Sequence, residues 1–222
     1  MKPLPDLGEH LVILSPHDDD AALGAGGLIL KRSAAGKKTT VLVMTDGSLG
    51  YSSPEEKDSI IGTREEETRK CYAALGAKVI FLGFPDMGLH PYRCWRTPDG
   101  RGGAYMITLA TLRELDASAL LLPNPADRHP DHQAAYDIGK VAGWQACSPI
   151  AAELGDPIDI THAFSYAVWD PLPDATHVLG LAAKELEGKK GSLSAYESQG
   201  RVISGLLEQL SESEMFQQES LI

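Results

Sequence analysis

The sequence predicts an α/β protein with a single domain: a Rossmann-like three-layer sandwich around a mainly parallel sheet. Short aliphatic and β-branched runs alternate along the chain with longer stretches rich in Ala and Leu. Glycines follow two of these longer stretches, as they follow the last turn of many helices. Strands that alternate with helices form parallel βαβ crossovers, so helices cover both faces of the sheet. The length of 222 residues suits one domain, which we assign to residues 1–222.

The predicted strands are short apolar runs between turn residues. The first, residues 10–14, contains β-branched side chains and lies between Gly8 and Ser15-Pro16. The others follow at residues 39–45, 78–82, 119–122 and 163–169. Runs of this kind are typical of strands that are buried on both faces of a sheet.

The predicted helices are the longer segments between and after these strands. They comprise residues 21–35, 54–75, 105–115 and 131–147, and two segments within 182–210 that break near Gly191 and Gly200. Gly24-Ala25-Gly26-Gly27 resembles a dinucleotide-binding loop, but the third glycine is missing and acidic residues precede the stretch where a pyrophosphate would lie. We expect these glycines to allow close packing of the helix instead.

Charge and composition exclude several classes of partner. Lys and Arg number 20 against 31 Asp and Glu, which gives a net charge of −11, and no basic stripe occurs. Nucleic acid and anionic membranes are therefore unsuitable partners. No apolar run approaches the roughly 18 residues that span a bilayer. The three cysteines form no CxxC pair. The sequence predicts a cytoplasmic protein with reduced thiols and leaves a homo-oligomer open.

The densest polar residues follow four predicted strands, at their carboxyl ends. Open parallel sheets bind ligands at that edge, so these loops are expected to form one site. The four segments are residues 15–20 (SPHDDD), 45–48 (TDGS), 83–86 (GFPD) and 124–132 (NPADRHPDH).

Two of these segments contain potential metal ligands. Asp18, Asp19 and Asp20 follow His17 directly, and adjacent carboxylates repel one another unless a cation or hydrogen-bond donors neutralise them. His129 and His132 begin a predicted helix and can both point toward one place. One carboxylate with two imidazoles is a common catalytic zinc set that leaves the fourth position to water. The alternatives are a solvated loop that caps a helix and a pair of surface histidines.

At these residues the sequence resembles the LmbE-like, or PIG-L, family of zinc-dependent N-deacetylases. The family's first motif, Pro/Ala-His-Pro-Asp-Asp-Glu, corresponds to residues 16–21 (PHDDDA), and its second, His-Pro-Asp-His, matches residues 129–132 in full. Weaker similarities extend the resemblance over about residues 10–200: Thr45-Asp46-Gly47, Arg64 with Glu67, residues 82–86 (LGFPD), and Ser198-Gln199 after Lys189 and Tyr196.

The resemblance implies a role for each matching residue. His17, Asp20 and His132 would bind one Zn²⁺ per chain, and Asp19 would be the general base. His129 would face the substrate carbonyl, with Asp131 to orient its ring and raise its pKa, and Arg64 would contact substrate hydroxyls. The chain departs from the family pattern at Asp18, where the family has Pro, and at Ala21, where it has Glu.

The function that follows is that of a metal-dependent amidohydrolase, which removes an N-acetyl or other N-acyl group from an N-acetylglucosamine-type glycoside. One alternative is a glycosyltransferase-like enzyme that holds a divalent ion with the Asp18–Asp20 cluster, although hard cations of that kind prefer oxygen to imidazole. Another is a non-catalytic carbohydrate-binding relative. Both stay open at this point.

The long loop at residues 83–103 bears on the substrate. It contains Tyr92, Arg93, Trp95, Arg96 and Arg101 and follows a strand at the active edge. Aromatic faces suit sugar rings, and arginines suit carboxylates or phosphates. The loop therefore predicts a polar or anionic aglycone, unless it packs against a neighbouring subunit.

Overall fold

The computed structural model describes residues 1–208 and 210–221 and confirms the predicted fold class. Over these residues one sheet contains eight strands, and six α-helices pack against it. The strands are β1 Lys2–Pro3, β2 His10–Ser15, β3 Lys38–Thr45, β4 Lys78–Phe84, β5 Ala119–Pro123, β6 His162–Tyr166, β7 His177–Gly180 and β8 Ser213–Glu219. The helices are α1 Asp20–Ala34, α2 Ile60–Leu75, α3 Ala104–Glu114, α4 Pro130–Ala146, α5 Ala183–Leu193 and α6 Gly200–Leu207.

The sheet is parallel except around one strand. Its order is β1-β7-β8-β6-β5-β2-β3-β4, and β8 runs antiparallel to β6 and β7. From β2 the chain builds β3 and β4 on one side and then crosses to start the other side with β5. The strand order therefore reverses between β2 and β5, the place where open α/β sheets bind ligands.

Strand β2 shows how the sheet separates two hydrophobic cores. Leu11 and Ile13 face one core, while Val12 and Leu14 face the other, because successive side chains of a strand point to opposite faces. Helices α1, α2 and α5 pack together on the first face, and α3 and α4 pack together on the second. The three layers thus follow from helices on both faces of the sheet.

The glycine-rich part of α1 confirms the packing interpretation. A Cβ on Gly24 would lie 2.3 Å from the Tyr166 ring, and one on Gly27 would lie 2.3 Å from Leu181. The helix is kinked at Ala25. Beyond the kink, the amides of Gly27 and Leu28 donate to the Glu214 carboxylate, which also pairs with Lys189. These glycines therefore let strands and helices approach the backbone of α1.

The structure differs from the predicted elements at three places. The predicted helix 54–75 is divided into a 3-10 turn, Pro54–Glu56, and α2, because the Glu56 carboxylate accepts from the amides of Ser52 and Ser53 and closes the turn. The predicted strand 163–169 ends at Tyr166. Strands β1, β7 and β8 were not predicted. Gln209, within the last predicted helical segment, and Ile222 lie outside the described residues.

No helix in the described part of the chain combines the length and the apolar character needed to cross a membrane.

Candidate active site

The loops after β2 and β5 meet at the point where the strand order reverses. β2 and β5 are neighbours, so the residues that follow Ser15 and Pro123 leave the sheet side by side. The first loop is held down by Pro16, whose carbonyl accepts from both the amide and the hydroxyl of Thr45. The two clusters predicted from the sequence therefore lie against each other.

One carboxylate oxygen contacts both of the predicted imidazole ligands. Asp20 Oδ2 lies 3.0 Å from His17 Nδ1 and 3.1 Å from His132 Nε2. The same oxygen accepts from the backbone amide of His17 at 2.8 Å. Asp20 and His132 are at most 1% exposed. The structure thus brings His17, Asp20 and His132 together in a buried cluster.

Each imidazole has a further carboxylate on its other nitrogen. His17 Nε2 lies 3.3 Å from Asp86 Oδ1 and 3.5 Å from Asp131 Oδ2, and His132 Nδ1 lies 3.2 Å from Asp127 Oδ2. Carboxylates in this position fix the orientation of a ligating ring and increase its basicity.

The carboxylates also shift the pKa values of both rings. Burial alone lowers the pKa of His17, but its hydrogen bonds to Asp131 and Asp20 outweigh burial and hold the pKa well above the ordinary value. Burial likewise lowers the pKa of His132, whereas the charge of Asp20 and the contact with Asp127 raise it to about 9. Burial raises the pKa of Asp20, but the two histidines hold it well below the ordinary value.

The donor atoms fit a divalent metal ion. Both ring nitrogens of His132 are buried, and neither makes a hydrogen bond of acceptable geometry despite the nearby carboxylates. Donors on a tetrahedral zinc ion with bonds of about 2.0–2.1 Å lie about 3.3 Å apart, close to the two separations at Asp20. Single donor atoms of His17, His129 and His132 also lie within 4.8 Å of one another, as do those of His17, Asp86 and Asp131.

Asp19 differs from its two neighbours because its carboxylate has no hydrogen-bond donor among the described residues. It lines the cavity above the cluster and does not cap α1, although it directly precedes the helix. Burial, together with the charges of Asp18 and Asp20, raises the pKa of Asp19 to about 7. A carboxyl group with a pKa near neutrality suits general acid–base catalysis.

His129 caps α4 through its side chain. Its Nδ1 accepts from the backbone amide of Asp131 at 3.2 Å, so in the neutral ring the proton lies on Nε2. Burial lowers the pKa of His129, and the charges of His17 and His132 lower it further. The expectation that its pKa is raised is therefore wrong, because these effects outweigh Asp131.

The Asp131 carboxylate contacts a different part of the site from the part that the sequence predicted. It accepts from the amides of Met87 and Leu89, at 2.7 and 3.0 Å, and faces His17. Its backbone amide, and not its carboxylate, contacts the His129 ring. Asp131 thus joins the loop after β4 to the start of α4.

Asp18 is neutralised by Arg64. The Arg64 guanidinium donates through Nε to Asp18 Oδ2 at 3.0 Å and through Nη2 to Asp18 Oδ1, and the Thr68 hydroxyl donates to Oδ2 at 3.1 Å. Gly47 and Gly50 leave room for the guanidinium, since a Cβ on Gly50 would lie 2.0 Å from Arg64 Nη1. Asp18, which stands where the family pattern has Pro, is therefore paired with the buried guanidinium of Arg64.

Ala21, the second departure, lies buried beneath the site. Its amide donates to the Ser15 hydroxyl at 3.0 Å, and Ser15 in turn donates to the carbonyl of His17. The carboxylates near the two imidazoles come from Asp86, Asp127 and Asp131 instead.

The cavity over the cluster has a volume of about 270 Å³. Its lining includes four of the predicted catalytic or metal-binding residues, together with Arg64 and residues from four loops or helices. They are His17, Asp19, Asp20, Leu49, Gly50, Arg64, Asp86, Met87, His129, Trp169, Gln199 and Val202. Asp131 and His132 are buried behind this wall.

The predicted aromatic and arginine residues of loop 83–103 do not line this cavity. Arg93 pairs with Asp137, and Arg101 pairs with Asp99. Tyr92 and Trp95 pack instead against the core on the α3–α4 face. The basis for an anionic aglycone is thereby removed.

Sequence reasoning missed Asp86, Asp127, Trp169 and Gln199 as site residues. Asp86 and Asp127 stand in the polar segments that follow strands, so their position was a usable signal. Trp169 reaches the site because its amide donates to Asp127 at 3.2 Å, and Gln199 because its side chain donates to the carbonyl of Gly50 at 2.7 Å. The signal for Gln199 was its place in the Ser198-Gln199 pair, whereas Trp169 has no local sequence pattern that points to the site.

Comparison with known proteins finds a family and several relatives. Residues 12–142 match the family model described as GlcNAc-PI de-N-acetylase, PIG-L. A diacetylchitobiose deacetylase from Thermococcus kodakarensis is 34% identical over 134 residues. That alignment covers 58% of this chain and 47% of the archaeal protein, so the chain matches about half of that relative's length.

Solved structures share the fold over nearly the whole chain. An N,N′-diacetylchitobiose deacetylase from Pyrococcus horikoshii superposes with a TM-score of 0.81 at 19% identity, covering 96% of this chain and 84% of the other. A 4-carboxy-2-hydroxymuconate hydratase from Pseudomonas putida superposes with a TM-score of 0.79 at 17% identity and covers 96% of both chains. The same fold therefore occurs in a deacetylase and in a hydratase, and the fold alone does not determine the reaction.

Proposed function

The chain belongs to the GlcNAc-PI de-N-acetylase (PIG-L) family, and from that premise we propose that it is a zinc-dependent amidohydrolase that removes an N-acetyl group from an N-acetylglucosamine-type glycoside. The observation that supports this most directly is the position of Asp20 Oδ2, within 3.1 Å of a ring nitrogen of both His17 and His132. The free carboxylate of Asp19 beside this cluster supplies the second requirement, a base that faces the cavity.

The proposed metal ligands are His17, Asp20 and His132, with one ion per chain. The alternative donor groups are less suitable. Asp86 and Asp131 each contact only one of the two imidazoles, that of His17. Both carboxylate oxygens of Asp131 also accept from backbone amides, and His129 uses Nδ1 to cap α4. Two imidazoles and one carboxylate favour zinc over magnesium or calcium, which prefer oxygen ligands.

A zinc ion in this position supplies a Lewis acid that polarises the amide carbonyl and makes water a better nucleophile at neutral pH. Asp19 takes the proton from the attacking water, and its raised pKa lets the same carboxyl group pass that proton to the departing amine. The products are acetate and the free amino sugar. The net reaction consumes one water and needs no other reactant.

His129 stabilises the negative charge that develops on the carbonyl oxygen. Because Nδ1 accepts from the backbone of Asp131, the neutral ring presents Nε2–H as a donor. A donor held in place before the reaction stabilises such charge effectively. Asp131 contributes through this backbone contact and through its carboxylate, which holds the loop after β4 next to His17.

Arg64 is proposed to contact the sugar with the part of its guanidinium that Asp18 does not engage. Asp18 binds Nε and Nη2, which leaves Nη1 next to the Gly47–Gly50 turn at the cavity wall. A guanidinium held in a fixed plane loses little entropy when it binds a hydroxyl group.

Two other functions are less well supported. A glycosyltransferase-like use of the aspartates needs Asp18 and Asp20 to share a divalent ion, but Asp18 is bound to Arg64 and Thr68. A non-catalytic carbohydrate-binding role would leave the unpaired, buried carboxylate of Asp19 without a purpose. A cytoplasmic location and a homo-oligomer stay predictions.

The proposed function is tested by incubating the zinc-loaded protein with methyl N-acetyl-β-glucosaminide and measuring the primary amine released. We expect amine and acetate in equal amounts, and release that is slower by about two to four orders of magnitude from the Asp19→Asn variant. Zinc binding without amine release from this or any other acetylated amino sugar would contradict the proposal.

A further inference from the structure

Large apolar side chains that are exposed to solvent cluster at the mouth of the candidate active site. The described part of the chain exposes nine such side chains, and four of them line the cavity over the site. These four, which we call the apolar rim, are Leu49, Met87, Trp169 and Val202, each between 43% and 54% exposed. Contiguous exposed apolar surface around a polar cavity is typical of a ligand-binding site.

The apolar rim is assembled from separate parts of the chain. Leu49 follows β3, Met87 follows β4, Trp169 follows β6, and Val202 lies on α6. Met87 has a positive φ of 56°, a backbone conformation that is uncommon for a residue other than glycine. Its amide is fixed by Asp131. Four elements thus present apolar side chains to one opening, which scattered surface residues would not do.

The apolar surface continues past the rim. A second cavity of about 290 Å³ shares His129 and Trp169 with the first and adds Leu206. A third cavity, of about 270 Å³, shares Trp169 and Leu206 and adds Leu210 and Met215. A groove therefore leads from the catalytic residues along Trp169 and α6.

The charges around this groove do not suit an anion. Three cationic Lys or Arg side chains line the cavities among the described residues, and each already pairs with a carboxylate. The pairs are Arg64 with Asp18, Arg128 with Asp170, and Lys189 with Glu214. The floor of the first cavity adds the carboxylates of Asp19, Asp20 and Asp86. A phosphate or carboxylate on the substrate would therefore meet no unpaired positive charge among these side chains.

We propose that the apolar rim binds an apolar aglycone, an aryl or short alkyl group, of the amino sugar whose acetamide lies at the catalytic residues. The inference rests on the proposed function and adds the substrate class to it. The side chains of the rim shield the aglycone from water, while the polar floor contacts the sugar. Each buried methylene group increases binding about fourfold.

The test compares three soluble probes that differ only at the anomeric position: the hexyl glycoside, the methyl glycoside and the 1-phosphate of N-acetylglucosamine. Amine release from each gives kcat/KM. We expect the hexyl glycoside to exceed the methyl glycoside by about tenfold or more, since burial of two methylene groups suffices for that ratio. The 1-phosphate should be the poorest of the three.

Two variants connect the preference to the apolar rim. Trp169→Ala and Val202→Ser should each lower the hexyl-to-methyl ratio several-fold, and either one suffices if the other fails to fold. Trp144→Ala is the matched control, because Trp144 is 45% exposed on α4 but does not line these cavities, and its ratio should equal that of the wild type.

The outcomes separate this inference from the proposed function. No amine from any probe contradicts the proposed function itself. Amine release with equal kcat/KM for hexyl and methyl glycosides, or with the 1-phosphate preferred, overturns only the apolar aglycone. If kcat/KM is higher for the N-hexanoyl than for the N-acetyl methyl glycoside, and the hexyl aglycone brings no increase, the apolar rim binds the acyl group. That result also overturns the apolar aglycone. If the protein is a dimer, and Trp169→Ala dissociates it without changing the hexyl-to-methyl ratio, the apolar rim is a subunit interface and the apolar aglycone is again overturned.

Discussion

Arg64 holds the carboxylate of Asp18 with two of its nitrogens in a buried ion pair, 46 residues apart in sequence. The Asp18 carbonyl, in turn, accepts from the hydroxyls of Tyr72 and Tyr196, at 2.9 and 2.6 Å. Because Asp18 stands between His17 and Asp19, these contacts fix the backbone that carries both a proposed ligand and the proposed base. The pair thus links α2 to the catalytic loop.

Removing either member of this pair should destabilise the protein strongly. Arg64→Ala leaves Asp18 as an uncompensated buried charge, and Asp18→Ala does the same to Arg64. Each should lower the free energy of unfolding by about 3–5 kcal/mol in urea denaturation. The double variant should lose clearly less than the sum of the two.

The matched control for this prediction is Lys70→Ala, on the same helix as Arg64. Lys70 pairs with Glu66 at 2.8 Å, but both side chains are more than 60% exposed, so the change should not measurably alter stability. Strict additivity of the Asp18 and Arg64 effects would show that the two side chains do not interact.

Asp19→Asn should separate catalysis from metal binding. The asparagine keeps the size of the side chain but cannot accept a proton, so the rate of amine release should fall by about two to four orders of magnitude. Zinc content and the far-UV circular dichroism spectrum should stay at wild-type values, because Asp19 contacts neither His17 nor His132. Turnover near the wild-type rate would exclude Asp19 as the base.

The metal ligands can be distinguished from the other histidine of the cluster. Asp20→Ala and His132→Ala should each lose stoichiometric zinc, as measured by elemental analysis after dialysis. His129→Ala should keep its zinc and lose most activity, because His129 uses Nδ1 to cap α4. If His129→Ala lost zinc and Asp20→Ala kept it, the ligand set would be the three histidines instead.

The glycines of α1 and α2 give a prediction about packing. Gly24→Ala places a methyl group 2.3 Å from the Tyr166 ring and 2.5 Å from the carbonyl oxygen of Ala167, so it should destabilise the protein by about 1–3 kcal/mol. Gly62→Ala on α2 meets nothing within 4 Å and should stabilise it by about 0.5–1 kcal/mol. Thermal unfolding of both variants checks the opposite signs.

Strands β2 to β5 could be predicted because each contains a continuous apolar run. Strand β8 could not be predicted in this way. It runs antiparallel to its neighbours β6 and β7, and along it the buried Glu214 and Phe216 alternate with the exposed Met215. Because the buried residue Glu214 is polar and the exposed residue Met215 is apolar, the sequence does not show the alternation of apolar and polar residues that is typical of a strand. The burial of Glu214 is explained only by Lys189 and the amides of the kinked helix, which lie far away in sequence.

The candidate site was predictable to the extent that its residues are adjacent in sequence. His17 to Asp20 and His129 to His132 stand in short motifs. The partner of Asp18 could not be predicted, because Arg64 meets it only when α2 packs beside α1. The lining of the cavity by Trp169 also depends on tertiary contacts. The substrate prediction from loop 83–103 failed because Arg93 pairs with Asp137 and Arg101 with Asp99, and neither arginine lines the cavity.

We propose that this site is a zinc-dependent deacetylase centre with one ion per chain. The most direct test titrates the metal-free protein with zinc and follows amine release from methyl N-acetyl-β-glucosaminide at each addition. We expect no release without metal and a linear rise that ends at one zinc per chain, with no rise in Asp20→Ala. Full activity in the metal-free protein, or an endpoint unaffected by Asp20→Ala, would show that zinc at this site does not carry the activity.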